Sequence, residues 1–165
     1  MSEQTQTRWL SEPQQRAWRA LLLGHTLLQD RLDDDLRHAY DISMTEYEIL
    51  VRLSEREGRQ MRMAQLADSL AHSRSRVTHT VNRMEKAGYV SRSASPDDGR
   101  GVVATLTDKG MALLEDAAHV HVRGVRANLV DLVSEEDFAA VGRVFDTVAD
   151  HLIGARPEME FRRSR

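Results

Sequence analysis

The sequence predicts a mainly α-helical fold with one small β-hairpin. Three observations carry this. Apolar residues recur at helical spacing over most of the 165 residues. One stretch, between Tyr89 and Leu106, instead alternates on either side of a cluster of turn formers. The longest helical patterns stand at the two ends of the chain, with short elements between them.

Residues 1–12 read as frayed, and a long helix begins around Pro13. Trp18, Leu21, Leu22, Leu28, Leu32 and Leu36 keep its period until it breaks near Tyr40-Asp41. A second helix spans about Thr45 to Arg56, capped by Ser43 or Thr45, with Glu46 and Glu48 in its first turn and Ile49, Leu50 and Leu53 facing inward. Gly58 ends it. Gln60-Met61-Arg62 is a candidate short strand. Met63 to Ala71 forms a third helix with Leu66, Ala67 and Leu70 inward. After the turn His72-Ser73 comes a fourth helix, which Gly88 stops. Tyr89 to Ser93 and Val102 to Leu106 are the hairpin strands, joined by the polar Ser95-Pro96-Asp97-Asp98-Gly99-Arg100-Gly101. Thr107 caps a long helix to about Val133. Ser134 caps the last, with Phe138, Val141, Val144, Phe145, Val148 and Leu152 apolar, ending at Gly154 and Pro157.

The fourth helix carries the functional argument. Val77, Val81 and Met84 stack on one side, while Ser75, His79, Asn82 and Lys86 point the other way, flanked by Arg76 and Arg83. A helix with an apolar seam and an opposite face of Arg, His, Ser and Asn fits a DNA major groove, where such side chains bond base edges and phosphates. Between His72 and Arg92 five basic residues (Arg74, Arg76, Arg83, Lys86, Arg92) meet one acid, Glu85. That is a local +4 on a chain of net charge −3, a basic patch on an acidic body that would hold a polyanion in one orientation. Two short helices joined by a tight turn and followed by a hairpin make a winged helix-turn-helix. Its wing-tip Arg100 is placed to reach a neighbouring minor groove.

These residues resemble the MarR family of transcription regulators. The likeness runs through Leu66-Ala67, Ser73 to Thr78, Val81 to Arg92, Asp97 to Gly101 and Leu106-Thr107-Asp108-Lys109-Gly110, and extends over roughly residues 14–153. It implies a homodimer with intertwined terminal helices and two winged modules on a palindromic operator. It also implies base contacts from Ser75, Arg76 and His79, phosphate contacts from Arg74 and Arg83, and a minor-groove contact from Arg100. Ser73 and Thr78 join the DNA-binding set, and Asp98 would brace the wing by pairing with an arginine. The organisation expected is an N-terminal dimerisation helix (1–42), a winged helix-turn-helix lobe (43–107), C-terminal dimerisation helices (108–154) and a flexible tail (155–165). A partner for the long terminal helices is expected independently, because one small winged module cannot cover their apolar positions.

The same residues bear on other functions. No cysteine is present, which removes disulfides and thiolate chemistry. No Ser-His-Asp order, HExxH or phosphate-binding glycine loop appears, so no enzyme is expected. No cofactor is expected either. Seven histidines raise an alternative, a zinc-type metal-responsive regulator of the same fold, with His38 beside Asp34 and Asp35 as a possible contributor; His119 and His121 diverge by about 200° on a helix and cannot share an ion. A small aromatic effector is the further partner considered, with His25, Tyr40 and Tyr47 as candidate ligand-binding residues, while Trp18 and Met44 read as core. With no apolar run long enough to span a bilayer and a polar N-terminus, the expectation is a cytoplasmic protein that touches no membrane and joins the nucleoid through DNA.

Overall fold

The structure is a computed structural model and describes residues 7–95 and 101–154. Helix α1 (Glu12–Tyr40) opens on a capping box in which Ser11 and Gln14 satisfy each other's backbone N–H groups, with Pro13 in the first turn. It ends at Asp41 in the left-handed region. Helix α2 (Met44–Ser54) opens on a second capping box, Ser43 with Glu46, so Ser43 rather than Thr45 is the cap. The chain then turns through Gly58, at φ +65°, into β1 (Gln60–Arg62). Helix α3 (Met63–Ser69) stops two residues short of the expected Ala71, because Ala71 itself adopts φ +53° to make the tight turn. Helix α4 (Arg74–Lys86) starts at Ser73, whose hydroxyl accepts the Arg76 N–H.

Strands β2 (Val90–Ala94) and β3 (Val102–Leu106) pair antiparallel, Val90 opposite Leu106. The candidate strand β1 forms and occupies the other edge of β3, Arg62 opposite Val103, giving a three-stranded sheet in the order β1-β3-β2. Helix α5 (Asp108–Asn128) ends sooner than the expected Val133. The backbone leaves helical geometry at Leu129, and a short 3-10 turn, Val130–Leu132, follows. Helix α6 (Glu135–Ile153) begins at the Ser134 cap.

One hydrophobic cluster ties the elements together. Leu36 of α1, Ile49, Leu50 and Leu53 of α2, Leu66 of α3, Val77, Val81 and Met84 of α4, Ala104 and Leu106 of β3, and Leu114 and Ala117 of α5 all belong to it. The C-terminal half of α1 therefore packs into the same core as the winged module, along α5. Gly124 of α5 makes that approach possible, since a Cβ there would meet the Leu32 side chain at 2.7 Å.

The two ends of the fold behave differently. Trp18, expected in the core, is 51% exposed, and Leu21, Leu22, Leu23 and Leu27 of the same half of α1 are also exposed. Helix α6 buries none of its residues, and Phe138, Val141, Val144, Phe145, Val148 and Leu152 all face solvent in the single chain. Periodicity marks which face of a helix wants cover; it does not say which chain supplies it. No described helix is long and apolar enough to cross a membrane.

Candidate nucleic-acid interface

The seam expected behind α4 is fully buried: Val77, Val81 and Met84 have no exposed surface. Thr80 joins them, its hydroxyl donating to the Arg76 carbonyl one turn back. With that side anchored, Ser73, Arg74, Ser75, Arg76, Thr78, His79, Arg83 and Lys86 are exposed. The structure thus gathers every described member of the expected DNA-binding set on one helix and its cap. Asp98 and Arg100, the expected wing residues, lie outside the described residues. The strands leading to them are paired up to Ala94 and Val102.

The start of α4 is held by tight local geometry. The His72 N–H donates to the Ala67 carbonyl at 3.1 Å and so closes the turn from α3. At the far end the Tyr89 N–H donates to the Met84 carbonyl, and Lys109 Nζ donates to the Ala87 carbonyl at 2.8 Å while lying over the Tyr89 ring. A cation is well placed at a helix C-terminus, where unpaired carbonyls concentrate negative charge.

Two of the five basic residues that form the sequence patch are paired within the chain. The Arg92 guanidinium donates from Nε and Nη2 to Glu85 Oε2, and its backbone N–H donates to Oε1. These bonds hold the Glu85 carboxyl below its usual range. Arg92 therefore braces the first wing strand against α4. Arg83 Nε donates to Glu46 Oε1 of α2 at 2.8 Å. Burial would raise the Glu46 carboxyl, but hydrogen bonds from Arg83 and Ser43 outweigh it and hold the group low. Arg74, Arg76 and Lys86 keep their charge turned to solvent. Arg76 makes one long bond, Nη2 to Thr45 Oγ1 at 3.4 Å.

Glu46 is the residue of this surface that sequence reasoning missed. A signal for its capping role existed, since Ser-x-x-Glu before an apolar run is a capping box. Its bond to Arg83 spans 37 residues of sequence and leaves no local pattern. Asp33 of α1 also grips this corner: its carboxylate accepts the Met44 N–H at 2.6 Å and pairs with Arg37. Burial works against its ionised form, and these bonds outweigh that too.

The candidate effector residues are not brought together. Tyr47 stacks on His121 of α5, ring centroids 4.7 Å apart, beside a cavity of about 290 Å³ that Met44, Val51 and Arg52 also line. Desolvation pushes the His121 pKa down, and its Nδ1 is buried with no hydrogen-bond partner among the described residues. His25 borders a different hollow, of about 420 Å³, with Asp30, Glu48, His72 and Arg76. Tyr40 borders neither. His38, Asp34 and Asp35 line an open groove between α1 and α5, alongside Arg31 and Arg123. Among the described residues no group of three His, Asp or Glu side chains is arranged to hold a metal ion.

A three-helix module with a paired wing and a solvent-facing basic helix defines a winged helix-turn-helix protein. A family model for the MarR family matches residues 42–102, from the start of α2 into the wing. The HTH-type transcriptional regulator PecS of Dickeya dadantii is 30% identical over 132 residues, which cover 79% of this chain and 79% of that protein. Among solved structures, AbsC, a MarR family transcriptional regulator from Streptomyces coelicolor, superposes with a TM-score of 0.82 at 40% identity, covering 90% of this chain and 99% of that one. Sco3205, a MarR family regulator of the same organism solved in complex with DNA, gives 0.85 at 37% identity, covering 90% and 92%. The chain belongs to the MarR family of transcriptional regulators.

Proposed function

We propose that this regulator is a homodimeric repressor that binds a palindromic operator and occludes a promoter. The observation that carries the reading is α4: a fully buried Val77-Val81-Met84 seam with Arg74, Ser75, Arg76, Thr78 and His79 all turned outward. Ser75, Arg76 and His79 are assigned to bases and Arg74 and Arg83 to phosphates. The Ser73 hydroxyl caps the helix and aims its first turn. Arg100 is assigned to the minor groove, with Asp98 supporting the wing. The structure of the relative Sco3205 with DNA and the bare apolar faces of α1 and α6 support the DNA and dimer parts respectively.

Duplexes selected from a genomic pool test the class, the symmetry and the target together. On the selected site Arg76→Ala is expected to cost about 1–3 kcal/mol and to relax sequence preference. Undiminished binding by Arg76→Ala would place the reading face elsewhere.

An aromatic effector that releases DNA is the second part of the proposal. The Tyr47-His121 stack beside an open cavity supports a site there, and a ligand would act by preferring a spacing of the two α4 helices that misfits the operator. A panel of aromatic acids that neither raises the melting temperature nor weakens DNA binding would remove this part. Among the described residues no specific arrangement favours the metal-responsive alternative.

A further inference from the structure

Glu46 sits where α2 meets the DNA-reading helix, and its two oxygens do different work. Oε2 accepts the Ser43 N–H and the Ser43 hydroxyl, each at 2.8 Å, completing the cap of α2. Oε1 accepts Arg83 Nε at 2.8 Å. The Glu46 side chain is 6% exposed, whereas that of Arg83 is 56% exposed. The guanidinium is thus held from behind by its Nε edge, while more than half of the side chain faces solvent. Arg83 follows His79 by four residues and Arg76 by seven, so all three share one stripe of α4.

We propose that Glu46 is a positioning residue for DNA binding: it fixes Arg83 through Nε so that the Nη groups are presented, already ordered, to a backbone phosphate. The inference rests on the DNA-binding reading above and gives a supporting role to α2, which makes no base contact in that reading. Arginine suits the task because its planar fork can serve two anions on two edges, which a lysine ammonium does not do. Fixing a long side chain in advance removes an ordering cost from binding, worth about three- to ten-fold in affinity for each side chain. The Asp41 carboxylate acts on Arg83 through its charge and also favours the protonated guanidinium, less strongly than Glu46 does.

Charge alone predicts the opposite effect, which makes the test sharp. Replacing Glu46 by Gln removes a negative charge near the DNA surface and, without a positioning role, would leave binding unchanged or strengthen it. Gln is also a competent partner in a capping box, as Gln14 is with Ser11 at the start of α1, so α2 retains its cap.

The experiment uses the full chain and a mixed-sequence 40-base-pair duplex in fluorescence anisotropy across a salt series, since a phosphate contact is independent of sequence. Glu46→Gln is expected to bind about three- to ten-fold more weakly, with an unchanged salt slope and a melting temperature close to the parent's. Arg83→Gln is expected to flatten the slope by about 0.9 for each phosphate it no longer neutralises. The Glu46→Gln loss should vanish in the Arg83→Gln background. Equal or tighter binding by Glu46→Gln, or the same loss in both backgrounds, overturns the proposal. If Glu46→Gln does not fold, Arg83→Lys replaces it: charge is kept and the two-edged fork is lost, so a similar weakening supports the proposal and parental binding overturns it. A parent that binds no duplex at low salt overturns the DNA-binding reading itself, and this inference falls with it; a parent that binds while Glu46→Gln binds equally well overturns the positioning role alone.

Discussion

Gly110→Ala is the substitution for which the structure fixes the sharpest expectation. Gly110 lies in the first turn of α5, where its N–H donates to the Thr107 cap at 3.0 Å. An added Cβ would sit 2.1 Å from the Tyr89 carbonyl oxygen and 2.7 Å from Leu106 Cδ1. A carbon and a carbonyl oxygen need more than about 3 Å, on the order of the separation between packed atoms, so something must move by about an ångström. The obstacle is backbone, and it is tied down. The Tyr89 oxygen accepts the Thr107 N–H, and the Thr107 hydroxyl donates to the Gly88 carbonyl at 2.7 Å. Overpacking of this kind costs about 1–3 kcal/mol, and displacing one of the hydrogen bonds adds about 1 kcal/mol. Better helix propensity returns at most about 1 kcal/mol. The net is about 1–4 kcal/mol, or a fall in melting temperature of about 2–16 °C for a chain of this size. Thermal unfolding followed by circular dichroism measures it. Thr107→Ala, which removes the cap without adding bulk, should cost less, about 1 kcal/mol. A melting temperature for Gly110→Ala within about 1 °C of the parent, below the lower end of that range, would show that the junction between wing and α5 yields freely and would refute the reasoning.

Three further outcomes are expected. Ala71→Gly should stabilise the chain by up to about 1 kcal/mol, because Ala71 stands at φ +53° in the turn between α3 and α4 and the left-handed cost outweighs the extra freedom of glycine when unfolded; a lowered urea midpoint would contradict this. His121 has a depressed pKa from burial, so its contribution is present above its unfolded value and is lost as the pH falls from about 6.5 through the folded value. Asp33 and Glu46, also depressed, lose theirs at lower pH, and His121→Phe should abolish the first phase while leaving the second; a stability curve of unchanged shape in that variant would count against the buried-histidine argument. Phe145→Asp should shift the mass measured by light scattering from dimer toward monomer, since Phe145 is half exposed on a helix with no buried residue; a dimer that persists at low micromolar concentration would move the interface elsewhere.

What the sequence disclosed and what it withheld follow from the range of the interactions. Helix α4 was readable to its ends because all its signals are local: a Ser cap, a 3.6-residue seam and a stopping glycine. The hairpin was readable from alternation and turn formers. The edge strand β1 was visible as a candidate, but its residues gain a partner only when β3 arrives some 40 residues later, a distance that loop closure permits and local pattern does not encode. The end of α5 was misplaced because no Gly or Pro marks Asn128, whose side chain instead donates to the Gly124 carbonyl. The candidate site divides the same way. Its outward residues were legible from helix geometry, whereas the partners that aim them, Glu46 for Arg83 and Lys109 for the α4 C-terminus, come from other elements. His25, Tyr40 and Tyr47 do not line one cavity within the single chain, because segments that neighbour one another still turn side chains to different faces.

The bare helices bear on how the regulator is put together. A helix gains most of its stability in a protein from packing an amphipathic face, and propensity alone rarely suffices. Helix α6 has a strong cap and acidic residues in its first turn, Glu135, Glu136 and Asp137, which favour its start. Yet none of its residues is buried among the described residues. The same is true of the first half of α1, whose second half seats Leu32 and Leu36 in the core. Runs of exposed apolar residues on helices are the expected mark of an interface, and the two bare surfaces come from opposite ends of the chain. On the dimer reading they fold onto a second copy, and the spacing of the two reading helices then depends on them. Helix α1 runs unbroken from the bare half to Asp33, whose carboxylate accepts the Met44 N–H at the start of α2, so the exposed face and the helix that carries Glu46 are joined by one rigid element.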